Sequence, residues 1–230
     1  MTSYAATRDR VEHYFDRSAT KVWERLTSDA PVSGIRATVR AGRDRMRDLM
    51  LRQLPDDLRG ARILDAGCGT GAMAVELAQR GADVVAVDIS PALIDIAKER
   101  MPADLPGQIE WIAGDMLEGT RGGFDHALAM DSMIYYSAPD IAELLGRAAN
   151  RVDGKFVFTL PPRTPALMAM WRVGKLFPRA DRSPTMVPHT TADVAKALRT
   201  AGVAGNLREI DRVKSGFYIS NALVFEGGRA

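Results

Sequence analysis

The chain has 230 residues, of which 46% are hydrophobic and 26% are charged, and its net charge at pH 7 is +2. These fractions are ordinary for a globular protein, the length suits one α/β domain with additions, and the charge gives no indication of a nucleic-acid partner. There is no run of about 18 apolar residues and no signal-peptide pattern, and a single cysteine excludes an internal disulfide, so we expect a cytoplasmic protein without a transmembrane helix.

The N-terminal part of the chain predicts helices. Residues 1 to about 30 carry a discontinuous apolar stripe that indicates one or two amphipathic helices, and a longer helix is expected from about Ile35 to Leu54. Helices that precede the first strand of an α/β domain usually cover the ligand pocket. We therefore divide the chain into an N-terminal helical lid, residues 1–54, and a core domain, residues 55–230.

A glycine-rich turn lies between the first predicted strand and the helix after it. Residues 63–71 have the sequence Ile-Leu-Asp-Ala-Gly-Cys-Gly-Thr-Gly. Glycine is needed in such a turn because a Cβ atom would block the close approach of a ligand to the backbone. A second buried strand ends at Asp88, and an acid about twenty residues after a glycine-rich turn is placed to accept hydrogen bonds from both hydroxyls of a ribose. The chain is therefore predicted to bind a nucleoside-containing cofactor.

Acidic residues distinguish between two such cofactors. The G-x-G-x-x-A spacing of the turn also satisfies the looser fingerprint of NAD-binding proteins. However, Asp65 at the start of the turn suits the cationic amino-acid part of S-adenosylmethionine (SAM) and would repel a pyrophosphate. Asp115 follows a third apolar stretch and can reach an adenine amino group, and a fourth strand ends at Asp131. These motifs resemble the class I SAM-dependent methyltransferases over roughly residues 60–160.

Strands and helices alternate through the core of the chain. The predicted strands are residues 61–66, 83–88, 109–113, 124–130 and 155–160, and the predicted helices are residues 72–80, 91–101 and 139–150. A last helix over about 191–201 and two strands near 206–213 and 217–226 follow. This order predicts a doubly wound, mostly parallel sheet. The resemblance completes it as a seven-stranded Rossmann-like methyltransferase fold with an antiparallel last strand.

An insertion from about residue 161 to 190 interrupts the alternation after the fifth strand. It is rich in methionine, aromatic and arginine residues, and another arginine-rich segment, from Arg36 to Arg52, precedes the glycine turn. Helices that pack on the core with solvated basic faces explain both segments. A broad apolar acceptor with anionic groups, or an acidic membrane surface, explains them equally well.

Short blocks along nearly the whole chain resemble the magnesium-protoporphyrin IX methyltransferase family of (bacterio)chlorophyll biosynthesis. The blocks are His13-Tyr14-Phe15-Asp16, Trp23-Glu24-Arg25, Val39-Arg40-Ala41-Gly42, Pro161-Pro162-Arg163-Thr164 and Gly174-Lys175-Leu176-Phe177-Pro178, the last leading to His189. The resemblance implies methyl transfer from SAM to one propionate of magnesium-protoporphyrin IX, giving the monomethyl ester. No protein-bound metal is implied, because the magnesium belongs to the substrate. The large subunit of magnesium chelatase is a candidate partner, and peripheral contact with the inner or photosynthetic membrane stays open.

On this interpretation a set of motif residues contacts the cofactor: Arg40, Asp65, Gly67, Gly69, Gly71, Asp88, Ile89, Asp115, Met116 and Met130. Asp65 and the glycine turn hold the methionine part, and Asp88 takes the ribose. Ile89 and Met116 enclose the adenine, while Asp115 binds its amino group.

Three other residues are candidates for the methyl-transfer step. Tyr14 would close over SAM, Tyr135 would donate a hydrogen bond, and His189 would ligate the substrate's magnesium or bind a propionate. Packing of the first helix and a surface histidine are the structural alternatives for Tyr14 and His189. Thr27 and Tyr135 stand where plant and cyanobacterial relatives carry a tyrosine and a histidine. Because the acceptor carboxylate is already ionised, proximity and removal of water are expected to dominate the catalysis.

Two other functions stay open at this point. Methylation of another hydrophobic acceptor, such as a quinone precursor, would need a genuine base. A non-catalytic scaffold would bind SAM without turnover. An NAD-dependent dehydrogenase is the weakest alternative, because Asp65 and Asp115 have no role in it.

Overall fold

The computed structural model describes residues 4–14, 34–116, 122–164, 168 and 186–228. Within these residues the elements follow in the order α1 (Tyr4–Tyr14), α2 (Gly34–Leu51), β1 (Arg62–Ala66), α3 (Ala72–Gln79), β2 (Asp83–Asp88), α4 (Pro91–Glu99), β3 (Gln108–Ala113), β4 (His126–Ala129), α5 (Ala138–Ala149), β5 (Lys155–Leu160), α6 (Thr191–Thr200), β6 (Gly205–Ser215) and β7 (Tyr218–Gly227).

The strands of the described residues form one seven-stranded sheet in the order β3-β2-β1-β4-β5-β7-β6. β1 to β5 are parallel, and β7 is antiparallel to both of its neighbours. The chain adds β2 and β3 on one side of β1 and then returns to place β4 on the other side. Such a change of direction opens a crevice at the carboxyl ends of the two central strands, where ligands of α/β proteins bind. The predicted fold class is confirmed.

Alternate residues of the strands point into two hydrophobic layers. Leu64 and Val85 belong to the layer that α5 and α6 cover, whereas Ile63 and Val84 belong to the layer that α2, α3 and α4 cover. Successive side chains of a strand face opposite sides of the sheet. A sheet buried on both faces therefore needs continuous apolar strands, and this is why the strands were visible in the sequence as apolar runs.

Helices α4 and α5, which follow β2 and β4, begin at side-chain caps. The Ser90 hydroxyl accepts a hydrogen bond from the Leu93 N–H at 3.4 Å, and Pro91 occupies the first turn of α4. At the start of α5, Ser137 and Asp140 cap each other's backbone N–H groups. These caps hold the loops after β2 and β4 in place, and those loops border the crevice.

Differences from the predicted elements are small and lie at element ends. The helix expected to reach Leu54 ends at Leu51, because the Gln53 N–H bonds to the Met50 carbonyl in a tighter turn. The strand expected from residue 124 begins at His126.

The part of the expected N-terminal helices from residue 15 to about 30 lies outside the described residues, as does most of the insertion at 161–190. At the edges of the insertion, Pro162 and His189 pair in an isolated parallel bridge. None of the helices in the described ranges has the length and apolar character needed to span a bilayer.

Candidate active site

A cavity of about 340 Å³ lies at the carboxyl ends of β1, β2 and β4. Its lining includes the residues that end or follow β2, β3 and β4: Asp88, Ile89, Asp115, Met116, Met130 and Asp131. Helix α1 covers the cavity with Tyr4, Arg8 and Val11, and α2 borders it with Arg40, Arg43 and Arg47. The cavity therefore occupies the crevice that the change of strand order creates.

The glycine turn forms one wall of the cavity. Gly67, Gly69 and Gly71 have φ angles of 81°, 55° and 85°, in the left-handed region that favours glycine. A Cβ atom at Gly67 would collide with the side chain of Ser132, and one at Gly71 would lie 2.5 Å from the Trp111 ring. A Cβ atom at Gly69 would meet nothing within 4 Å. Gly67 and Gly71 are thus required by protein packing, whereas Gly69 leaves room on the ligand side.

Asp88, the last residue of β2, fastens the turn to the sheet. Its Oδ2 accepts a hydrogen bond from the Gly69 N–H at 2.8 Å, and its Oδ1 accepts one from the Ser90 N–H at 2.9 Å. The carbonyl of Val87 accepts two further N–H groups of the turn, at 2.8 and 3.0 Å. The carboxylate is therefore held rigidly at the cavity wall, at the position where the sequence predicts a ribose contact.

Asp65 is buried in β1 and lines the cavity. Its Oδ2 has no hydrogen-bond partner among the described residues. Burial is the main cause that raises the pKa of Asp65 to about 7, and the negative charge of Asp88 adds to it. A hydrogen bond from the Ala74 N–H acts in the opposite direction and lowers this pKa. A buried carboxylate oxygen without a partner costs free energy, which a ligand with a cationic donor would relieve. The ammonium group of SAM fits this requirement.

Asp115 connects the sheet to α1. Its Oδ2 accepts a hydrogen bond from the Tyr4 hydroxyl at 2.8 Å and lies 4.0 Å from the guanidinium of Arg8. The Tyr4 ring stacks on the Tyr136 ring at a centroid distance of 5.0 Å. Burial and then the Asp115 charge raise the pKa of Tyr136 to about 12, so this hydroxyl stays protonated at neutral pH. These contacts hold α1 over the cavity.

Asp131, just after β4, accepts hydrogen bonds from three other elements. Arg43 of α2 lies 2.6 Å from its Oδ2, and the hydroxyls of Thr159 in β5 and Tyr218 in β7 donate to its Oδ1, each at 3.1 Å. With a φ of 56°, Asp131 is the one non-glycine residue of the described ranges with a positive φ. Burial and then the Asp131 charge raise the pKa of Tyr218, so that its hydroxyl remains a donor.

The structure places the cofactor residues expected from the sequence around this cavity, with one exception. The lining includes Arg40, Asp65, Gly67, Gly69, Asp88, Ile89, Asp115, Met116 and Met130. Gly71 lies behind the turn, against Trp111. Their individual contacts with SAM stay predictions.

The three residues expected at the methyl-transfer step lie in different surroundings. Tyr135 lines the cavity and packs with Val11. Tyr14, near the end of α1, and His189 are outside the lining. The His189 Nε2 lies 2.9 Å from the carbonyl of Tyr136, to which it donates, and burial lowers the pKa of His189. His189 is therefore a neutral, buried side chain that supports the loop after β4, and its predicted contact with the acceptor is not tested by these distances.

Arg43 and Tyr218 are among the residues of the site that were not singled out as candidates from the sequence. Arg43 had a signal, because arginines at positions 40, 43 and 47 recur on one face of a helix. Tyr218 had none, since β7 approaches α2 and β4 only in the folded sheet.

The cysteine of the glycine turn is unreactive. Burial, and then the charges of Asp65 and Asp88, raises the pKa of the Cys68 thiol well above its ordinary value. A neutral thiol is a poor nucleophile and a poor metal ligand. Among the residues that the structure describes, no group of three His, Cys, Asp or Glu side chains is arranged to hold a metal ion.

The reversed seventh strand, the glycine turn and the strand-end acids define the Rossmann-like fold of class I methyltransferases. A methyltransferase-domain family model matches residues 63–153, and a model described as magnesium-protoporphyrin IX methyltransferase C-terminus matches residues 129–226. A magnesium-protoporphyrin O-methyltransferase of Rhodobacter capsulatus is 56% identical over 225 residues, which cover 97% of this chain and 98% of the relative. The chain therefore belongs to the magnesium-protoporphyrin O-methyltransferase family, as its sequence blocks predict.

Two more distant proteins complete the comparison. The crystal structure of magnesium protoporphyrin IX methyltransferase from Synechocystis PCC 6803 with bound SAH is 23% identical with a TM-score of 0.76, and the match covers 96% of this chain and 100% of that one. At this identity it supports the fold. A ubiquinone biosynthesis O-methyltransferase of Xanthomonas oryzae is 28% identical over 160 residues, which cover 67% of this chain and 64% of that relative.

Proposed function

We propose that the protein transfers the methyl group of SAM to one propionate of magnesium-protoporphyrin IX and so forms the monomethyl ester of (bacterio)chlorophyll biosynthesis. The 56% identity with the Rhodobacter capsulatus enzyme, spread over 97% of this chain, carries the proposal. The cavity supports it, because its buried acids suit SAM and its arginines suit a carboxylate acceptor. Magnesium enters the site as part of the substrate.

Different residues of the cavity bind different parts of SAM. Asp65 accepts a hydrogen bond from the ammonium group, and the missing side chain of Gly69 lets the ligand approach the backbone. Asp88 accepts hydrogen bonds from the ribose hydroxyls. Asp115 binds the adenine amino group, and Met116 packs against the adenine ring together with the neighbouring Ile89.

The reaction requires the protein to position the acceptor carboxylate and does not require a base. SAM supplies an electrophilic methyl group: a bond from the carboxylate oxygen to the methyl carbon forms, the sulfur–carbon bond breaks, and its electron pair stays on sulfur. The acceptor is ionised at neutral pH, so no side chain has to remove a proton. The positive and the negative charge disappear together. A covered cavity of low dielectric constant therefore favours the step, and α1 supplies that cover.

The arginines of α2 are suited to the carboxylates of both ligands. Arg40 and Arg47 line the cavity from the same helix, and the buried Nε of Arg47 has no hydrogen-bond partner among the described residues, while its Nη2 lies 2.8 Å from Asp44. A guanidinium binds a carboxylate in a bidentate fork. We assign Arg40 to the carboxylate of SAM and Arg47 to the second, non-reacting propionate. Tyr135 serves as a hydrogen-bond donor, because its phenol is a poor base near neutral pH.

Incubation with methyl-labelled SAM and magnesium-protoporphyrin IX tests the proposal. We expect label in a monomethyl ester, and no label when the acceptor is the dimethyl ester of the same porphyrin, which has no free carboxylate. If SAM binds but no labelled ester forms, the proposed function is wrong. A quinol offered at the same SAM concentration should stay unlabelled, because none of the described lining residues is a histidine that could deprotonate a phenol.

We also propose that residues 1–54 act as a lid that opens for the ligands. The contacts of Tyr4 and Arg8 with Asp115 support this, since they join α1 to the end of β3 at the cavity. Limited proteolysis within residues 1–54 should slow when SAM and porphyrin are both bound. Equal cleavage rates with and without the ligands would contradict a lid.

A location at a membrane surface and delivery of the substrate by magnesium chelatase complete the proposal. Arg36 and Arg45 are exposed on α2, and Arg52 is exposed just after it. The Arg45 guanidinium donates to the Lys214 carbonyl of β6, and Phe217 in the β6–β7 hairpin is 69% exposed. Basic side chains beside an exposed aromatic ring suit an anionic lipid surface. We expect sedimentation with anionic but not with neutral vesicles, lost in an Arg36→Glu/Arg45→Glu variant. A pull-down with the chelatase large subunit tests the partner, and no retention would contradict it.

A further inference from the structure

Asp131 and Arg43 form an ion pair in the wall of the cavity that the proposed cofactor contacts leave unused. The Arg43 Nη1 lies 2.6 Å from the Asp131 Oδ2, and the two side chains are 19% and 9% exposed. Both residues line the cavity. The pair lies after β4, one of the two strands at which the sheet order reverses, and thus close to the centre of the crevice.

The surroundings of Asp131 hold its carboxylate in one place. Its backbone N–H donates to the Thr159 hydroxyl at 2.8 Å, and the hydroxyls of Thr159 and Tyr218 donate to its Oδ1. Its φ of 56° is a conformation that Asp and Asn tolerate better than other side chains. Backbone conformations of this kind occur preferentially at functional sites.

Attachment of α2 to the sheet does not depend on this ion pair. Met46 and Met50 of α2 are completely buried, and a Cβ atom at Gly42 would lie 2.7 Å from the Tyr218 ring. Apolar packing and close backbone approach therefore already hold the helix. The ion pair must be explained by what it does at the cavity.

The reaction itself limits how much positive charge the acceptor carboxylate should meet. The carboxylate loses its negative charge as the oxygen–carbon bond forms and the sulfur–carbon bond breaks. An uncompensated guanidinium at the reacting oxygen stabilises the reactant more than the transition state, and so it tightens binding but slows the step. A guanidinium that is already paired keeps its directional N–H donors while its net charge is balanced.

We propose that Asp131 is a positioning residue: it balances the charge of Arg43 and fixes the guanidinium so that Arg43 orients the reacting propionate without over-stabilising it. This inference rests on the proposed function and assigns Arg43 to the reacting carboxylate, leaving Arg47 for the other one. Thr159 and Tyr218 act through Asp131, by holding its carboxylate toward α2.

Two variants with opposite expected effects on binding test the pair. Asp131→Asn removes the carboxylate charge that faces Arg43, and asparagine accepts the left-handed backbone, so the fold should be kept. Arg43→Gln removes the guanidinium. Binding of magnesium-protoporphyrin IX, followed by porphyrin fluorescence with SAH present, should tighten about threefold in D131N and weaken about threefold in R43Q. Binding of the dimethyl ester should not change in either variant, because it has no carboxylate.

Turnover should separate from binding in the same variants. In D131N we expect kcat to fall roughly tenfold with an unchanged or lower KM for the porphyrin, and the affinity for SAM to stay the same. The double variant should bind the porphyrin more tightly than R43Q, because R43Q alone leaves the Asp131 charge unbalanced beside the propionate. Asp57→Asn breaks an exposed pair with Arg59, 2.7 Å long and remote from the cavity, and serves as the matched control.

An unchanged kcat in D131N, a loss of SAM affinity there, or binding losses of the same sign in both single variants would overturn the proposal. The porphyrin-binding measurement decides without turnover, even if D131N lowers thermal stability. A wild-type protein that forms no ester would count against the proposed function alone, since the opposite binding shifts of D131N and R43Q do not require methyl transfer.

Discussion

Replacement of Asp88 by alanine should weaken SAM binding by about two orders of magnitude. Each Asp88 oxygen accepts one backbone N–H, from Gly69 and Ser90, at 2.8 and 2.9 Å. A carboxylate offers about four acceptor positions, more than these two N–H groups occupy. A hydrogen bond to a charged group contributes about 1.5–3 kcal/mol. Two such bonds that share one carboxylate are not fully additive, so we take about 3 kcal/mol for the pair, which corresponds to roughly 100-fold in Kd.

Calorimetric titration with SAM, well below the melting temperature, measures this loss. Asp88→Ala also removes the acceptors of two backbone N–H groups, so we expect a lower Tm and circular dichroism must show that the variant is folded. Asp83→Ala is the matched control, because Asp83 is exposed at the opposite end of the same strand. A folded D88A protein that binds SAM within about threefold of the wild type would refute the placement of the ribose.

Three further predictions concern other parts of the cavity. Because the pKa of Asp65 is raised to about 7, the ligand-free protein should lose stability as pH rises from about 4 to 7. The affinity for SAM should rise with pH, because the ammonium group of SAM displaces the proton of Asp65. Asp65→Asn should abolish the proton release measured by calorimetry in different buffers, and no release from the wild type would contradict the assignment. Gly69→Ala should fold but bind SAM poorly, and its Tm should fall only as far as backbone strain of about 1–2 kcal/mol requires. Gly71→Ala, whose methyl group would lie 2.5 Å from the Trp111 ring, should be the less stable of the two variants. Equal thermal denaturation curves for the two variants would contradict this difference. Tyr4→Phe keeps the stacked ring but removes the hydrogen bond to Asp115, so stopped-flow fluorescence should show SAM dissociating roughly fivefold faster. An unchanged dissociation rate would mean that α1 does not hold the ligand.

The local features of the site were predictable from the sequence. The glycine turn and Asp88 belong to one strand–turn–helix–strand unit, whose spacing follows from hydrogen bonds between neighbouring segments. Asp115 and Asp131 were identifiable as acids at strand ends, because buried parallel strands appear as apolar runs that end where the chain leaves the sheet.

The partners of those acids were not predictable. Tyr4 and Asp115 are 111 residues apart, and Tyr218 and Asp131 are 87 residues apart. His189 illustrates the same limit, because the sequence left an acceptor contact and a surface position as alternatives, while the fold buries the side chain and turns its Nε2 to the Tyr136 carbonyl. Short-range patterns carry no information on such pairs, which depend on how the sheet edges and helices pack.

The sequence by itself therefore determined the fold class, the family and the identity of the acids that face the cofactor cavity, since apolar periodicity and turn chemistry act between near neighbours. The tertiary structure alone decided which of these acids keeps an oxygen without a partner, as Asp65 does with its Oδ2, and which is charge-balanced, as Asp131 is by Arg43. Charge balance depends on distances of a few ångströms between elements that are remote in the chain, and only the packed fold sets those distances.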